Sequence, residues 1–137
     1  MKKLLQLSPL NADLAALLLR LIYGGLFVRY GYMKASNYDA ILPMFGDIIG
    51  IGSKLSFNLV IFAELGCGFL VLIGLFTRVS VLPVLFTMII AYFVAHAKDT
   101  FDVKSMSFIL MVLSLVIFVL GSGKYSVDAL WNRKKPD

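Results

Sequence analysis

Four side chains in a mostly apolar sequence could do chemistry together: Tyr30, Lys34, Glu64 and His96. A phenol, an amine, a carboxylate and an imidazole at one depth could bind a polar head group or pass protons to it. Glu64 is the only glutamate of the chain and lies in FAELGCGFLVLIGLF, a stretch otherwise fit for lipid. An ionised carboxylate facing hydrocarbon alone is costly. The sequence therefore predicts that Glu64 faces inward and meets a cation, with Lys34, Arg29 and His96 as candidates. Two readings stand side by side: a salt bridge that fixes packing, or the polar wall of a pocket.

The remaining polar residues read more structurally. Residues 20, 23, 24, 27, 31 and 34 share one helical face, which carries Arg20, Tyr23, Gly24, Phe27, Gly31 and Lys34. Its glycines let a second helix come close, so this face is expected to be buried. Arg20 on it would snorkel, form an ion pair, or act directly. Arg29 is about half a turn out of phase and is expected to face lipid headgroups or a second subunit. Cys67 reads as a small packing residue, Ser105, Ser107 and Ser114 as hydrogen-bonding groups between helices, and His96 alternatively as a helix-end residue. A single cysteine excludes an internal disulfide or a CxxC redox pair, and a single histidine excludes bis-histidine haem. No covalently bound cofactor and no metal site is expected.

The elements that must position these groups follow from hydropathy. Hydrophobic residues make up 60% of the 137 and charged residues 15%, against about 45–50% and about 25% in soluble domains. Four apolar runs, at about 14–34, 57–76, 79–97 and 105–121, predict four transmembrane helices in a single membrane domain, 1–137. The runs do not alternate as barrel strands do, so the fold class is an all-α integral membrane bundle. Lys2 and Lys3 precede an apolar run that continues too far for a signal core, so a retained first helix is expected, capped by Asn11 or Asp13. Four spans put both termini on one side with Lys2, Lys3, Arg78, Lys124, Arg133, Lys134 and Lys135. The other side has Lys34, Lys54, Lys98 and Lys104. Seven against four predicts cytoplasmic termini. The net charge of +5 then reads as topology and contact with anionic lipid, and nucleic acid is not an expected partner.

The connections differ. Helices two and three are expected to form a hairpin joined by little more than Thr77-Arg78, and helices three and four to be joined by KDTFDVKS. The long link between helices one and two holds Ile41, Leu42, Phe45, Ile48 and Ile49 at helical spacing. It predicts an amphipathic interfacial piece on the outer surface or capping the bundle, with Pro43 in its first turn and Gly50 and Gly52 ending it.

LLLRLIYGGLFVRYGYMK, FAELGCGFLVLIGLFTR, AHAKDTF and GSGKYSVDALW, in that order, resemble the DoxX family of small membrane proteins. The resemblance covers about 14–131. It implies a four-helix bundle in a bacterial inner membrane. It also implies kinship with subunits of thiosulfate:quinone oxidoreductases and with membrane redox complexes that handle thiol stress. Positions that match the family pattern include Arg20, Lys34, Glu64, Arg78, His96 and Asp128, with Asp128 taken as structural beside Arg20 and Arg29. Two departures are visible. Tyr30 stands where relatives often have histidine, and Lys104-Ser105-Met106 stands where they often have an acidic residue.

Three functions follow for testing. The first is a redox-associated subunit whose outer-half pocket takes a quinone- or lipid-like ligand through Tyr30, Lys34, Glu64 and His96, with a membrane or periplasmic redox protein as partner. The second is a scaffold or assembly factor. The third is a small channel or transporter, which would need a homo-oligomer to enclose a path. The polar groups cluster at one depth, which favours a pocket or a lock over a path.

Overall fold

A computed structural model describes residues 2–133 of the chain, and its regular elements are helices. The first, α1 (Ala12–Ser36), opens at Asn11, whose side chain accepts the Leu14 N–H at 3.0 Å. Three more long helices follow: α2 (Ser53–Ile73), α3 (Thr77–Ala95) and α4 (Phe101–Leu120). A short α5 (Val127–Arg133) ends the described chain, capped by the Ser126 hydroxyl, which accepts the Ala129 N–H at 3.2 Å. Neighbouring helices pack α1 on α2, α2 on α3, α3 on α4 and α4 on α1, which closes a four-helix bundle.

By length and composition, α2, α3 and α4 can cross a membrane. The further long helix, α1, has 25 residues, about 37 Å of helix. It carries Arg20 and Arg29, and its inward stripe is the expected one: Arg20, Tyr23, Gly24, Phe27 and Gly31 are all buried. Close approach explains the glycines. A Cβ on Gly24 would stand 2.7 Å from the Leu72 backbone, and one on Gly31 would stand 2.5 Å from that of Leu65. Tyr23, Phe27, Cys67, Val71, Val81, Val84, Met88, Leu110 and Ile117 form the core. The Tyr23 hydroxyl meets that of Ser114, which in turn donates to the Leu110 carbonyl at 2.7 Å. Large apolar side chains on the outer faces, such as Phe69, Val79, Phe86, Phe93 and Val119, are exposed, as a hydrocarbon solvent allows.

Several boundaries differ from hydropathy. Helix α2 begins at Ser53, four residues before the apolar run, because Gly52 (φ 97°) permits the turn into it. It ends at Gly74 (φ 76°), where Gly74 N–H bonds Val71 O at 3.1 Å and Leu75 N–H bonds Leu70 O at 2.9 Å. That double closure is a Schellman end. Thr77 and Arg78, expected as the hairpin link, are instead the first turn of α3. Phe101 opens α4, so the loop before it is shorter than KDTFDVKS suggests.

The expected amphipathic helix after α1 is only partly a helix. Tyr38–Ile41 makes one α-turn and Leu42–Met44 one 3-10 turn with Pro43 in it. The chain then runs irregularly past Gly46 and Gly50 (φ 77°), and Asp47 accepts the Gly52 N–H at 2.9 Å. Proline and glycine outweigh the apolar periodicity here. Tyr38 and Phe45 stack on the fully buried Phe57, with ring centroids 5.2 and 5.0 Å apart. Of the basic residues read for topology, Lys134 and Lys135 lie outside the described residues, as do the side chains of Lys2 and Lys3.

Candidate ligand-binding cavity

Glu64 has the partner its sequence position demands. Lys34 Nζ donates to Glu64 Oε2 at 2.6 Å, joining the last turn of α1 to the middle of α2. The Glu64 side chain is 5% exposed and that of Lys34 24%. The pair does not vanish into the core: both residues line a cavity of about 490 Å³. Its walls are α2 (Ser56, Leu59, Val60, Phe62, Ala63, Glu64) and α3 (Pro83 to His96). Phe45, Ile48 and Ile49 of the irregular segment cover it. Leu59, Phe62 and Phe86 are also exposed on the outer surface of the bundle, so the cavity opens sideways between α2 and α3 toward lipid.

Both walls depart from regular helix beside the cavity. Helix α2 widens to a π-helix over Phe62–Cys67, the turn that carries Glu64. Helix α3 does the same over Ala91–Ala95, and holds Pro83. A π-turn inserts a residue into the ladder and re-aims the side chains around it; such turns concentrate at functional sites. Pro83 lacks the N–H that would close its own turn. These irregularities keep α2 and α3 from packing flush.

The predicted residues divide. Lys34, Glu64 and His96 line the cavity, and Tyr30 does not. Tyr30 is half-buried, packs edge-on against Phe27 at 6.3 Å, and has the Lys34 ammonium 5.9 Å from its ring centre. Its place is beside the lysine stem, behind the wall. His96 closes the last turn of α3 through its backbone N–H, as a helix-end residue does, and its Nδ1 lies 2.6 Å from Asp99 Oδ2. Arg29 is exposed on the outer face of α1.

Arg20 and Asp128 lie at the opposite end, with the termini. Arg20 is 1% exposed. Its Nη1 donates to Leu72 O at 3.3 Å and its Nη2 to Tyr125 O. Asp128 accepts Phe76 N–H at 2.9 Å and Thr77 N–H at 3.4 Å. It caps α3 from another element and supports Phe76 in a left-handed turn (φ 47°) that a non-glycine residue rarely adopts. Arg78 Nε donates to Phe118 O at 3.0 Å and closes the end of α4. The GSGKYSVD block is thus a clasp: Gly121 and Gly123 turn at positive φ, Lys124 N–H reaches Asp13 at 2.9 Å, and Ser126 and Asp128 cap helices.

Sequence reasoning missed Ser56. It is 5% exposed, lines the cavity, and its hydroxyl has no partner. A buried polar group left unpaired costs about 1–3 kcal/mol. The signal was present: Ser56, Val60, Ala63 and Glu64 follow i, i+4, i+7, i+8. It is visible only once α2 is known to start before residue 57.

Comparison with known proteins points to a family of membrane proteins. The DoxX family matches residues 15–97, more than half of the chain. The match takes in α1 from its second turn, α2, α3 and the whole cavity, and stops before α4. The Escherichia coli (strain K12) inner membrane protein YqjF is 29% identical over 126 residues, which cover 89% of this chain and 95% of that protein. No solved structure matches the chain.

Proposed function

The chain belongs to the DoxX family of membrane proteins, and we propose that it serves as a redox-associated subunit whose cavity holds the head of a quinone-like lipid. The observation that supports this reading is the placement of the Lys34–Glu64 pair on the wall of a cavity open to lipid. A charged pair that only locked a bundle would be expected to pack without an adjoining space. The cavity volume falls within the range of about 300–1,000 Å³ typical of small-molecule sites. Its apolar walls suit a ring and the start of a chain, and the lateral opening suits a tail that stays in the bilayer.

The proposed roles are specific. The Lys34 ammonium and the Glu64 carboxylate orient the head group. His96, with Nδ1 held by Asp99, offers Nε2 as a proton acceptor at the loop end of the cavity. Electrons would enter and leave through the bound ligand and a membrane or periplasmic partner. The sequence excess of basic residues at the termini end, seven against four, supports a cytoplasmic position for that end and, with it, a cavity in the outer half of the membrane.

The test is recovery and binding. Protein purified with its native lipids is expected to carry quinone on extraction, and to bind a short-chain quinone in nanodiscs. Glu64→Gln is expected to weaken that binding by about tenfold, the scale of one hydrogen bond to a charged group. Absence of both recovered quinone and binding would remove the reading. A scaffold role is then next, because the pair at 2.6 Å is satisfied without any ligand. Crosslinking from Phe45 or Ile48 in native membranes should trap a partner if it is correct.

A further inference from the structure

We infer that Ser56 is a ligand contact, and that the cavity selects an uncharged head group with a hydrogen-bonding oxygen over an ionic one. The inference rests on the cavity being a ligand site, and adds which chemistry it admits. The charged pair on the wall is already matched, and the Nδ1 of the wall's imidazole is already taken. Lys34 meets Glu64 at 2.6 Å, and His96 meets Asp99 at 2.6 Å. An anionic head placed against Lys34 would stand against the Glu64 carboxylate as well, and a cationic head would meet the Lys34 ammonium. Neither sign gains a free partner, and either would lose its hydration on entering.

Ser56 is different. Three buried side-chain groups among the described residues lack a hydrogen-bond partner: Arg20 Nε, Ser56 Oγ and Thr77 Oγ1. Of these, only Ser56 belongs to the cavity wall. Its hydroxyl can donate to a carbonyl or accept from a hydroxyl, so a neutral oxygen-bearing head satisfies it in either form. Its place in the first turn of α2 puts that contact at the loop end of the cavity, which Phe45 and Ile48 also line. The apolar remainder of the molecule then faces Leu59, Phe62 and Phe86 and continues into lipid.

The experiment uses the full chain in nanodiscs and an uncharged quinone with a ten-carbon tail as the probe. Binding is read by equilibrium dialysis, with phosphatidylglycerol as the anionic competitor. Ser56→Ala is expected to weaken probe binding about five- to tenfold, the value of one neutral hydrogen bond. In the ligand-free protein the same substitution removes an unpaired hydroxyl and is expected to leave the unfolding temperature unchanged or higher. Phosphatidylglycerol is expected not to displace the probe. Wild-type affinity in Ser56→Ala, or displacement by phosphatidylglycerol, overturns the inference. A cavity-filling Ala91→Phe separates it from the broader reading. If Ala91→Phe abolishes binding while Ser56→Ala does not alter it, the cavity is a ligand site and Ser56 is no contact. If the probe does not bind the wild type at all, both fall.

Discussion

The two ends of this bundle handle charge in opposite ways. At the termini end, the guanidiniums of Arg20 and Arg78 are spent on backbone carbonyls, and Asp128 on backbone N–H groups. These contacts join residues far apart in sequence and tie the last segment across the bundle. At the loop end, Lys34 pairs with Glu64 and the His96 ring bonds Asp99, side chain to side chain, beside an open cavity. Charge that satisfies backbone closes a structure, because the turns it holds cannot form otherwise. Charge paired on a cavity wall leaves the fold little dependent on it and leaves the pair available to a ligand. The contrast assigns stability to one end and binding to the other.

The largest expected effect is at the clasp. Arg20→Ala strips the Leu72 and Tyr125 carbonyls of a buried charged donor and should destabilise by about 3–5 kcal/mol. Denaturant titration in detergent micelles would measure it. Folding that is insensitive to Arg20 would break the comparison at its strongest point.

Single changes to the pair come next. Lys34→Met should cost about 1–2 kcal/mol, less than a fully buried pair because the lysine side chain is 24% exposed. It should also weaken short-chain quinone binding about tenfold. If it removed more stability than Arg20→Ala, the loop end would be the lock instead.

Asp128→Ala and Phe76→Gly sharpen the account of the clasp. Loss of the carboxylate cap should cost about 1–2 kcal/mol, with no change in ligand binding. Phe76→Gly should instead stabilise by about 1 kcal/mol, since glycine adopts the left-handed turn without strain. Thermal unfolding of both variants reports the signs, and equal signs would refute the strain at Phe76.

The smallest effect is at the cavity rim. Asp99→Ala breaks an exposed contact to His96 and should change stability by less than about 0.5 kcal/mol. Ligand affinity should move by about twofold at most, as read by the same dialysis.

Much of this was legible in the sequence, in a particular pattern. The buried face of α1 follows from the spacing of Arg20, Gly24, Phe27 and Gly31, because one helix period dictates one face. Glu64 forecast its own partner, because the cost of a lone carboxylate admits few arrangements. Three things could not be read. Hydropathy does not separate an α-helix from a π-turn, so the widening around Glu64 and at Ala91–Ala95 left no mark. The contact of Arg20 with Tyr125 crosses more than a hundred residues with no charge pair to suggest it, since the acceptor is a carbonyl present in every residue. Ser56 was lost to a boundary: with Ser53, Lys54 and Ser56 among its first four residues, the start of α2 does not register in an apolar window. Tyr30 was placed with the site from depth alone, and depth does not fix which side of a helix a ring takes.

The central claim is that the Lys34–Glu64 pair serves the cavity more than the fold. The double replacement Lys34→Met with Glu64→Leu tests it most directly, since it removes both charges and leaves none unpaired. Unfolding and short-chain quinone binding are measured on the same nanodisc preparation. The account predicts stability within about 1 kcal/mol of wild type and binding at least about tenfold weaker. Wild-type binding in the double variant would contradict it.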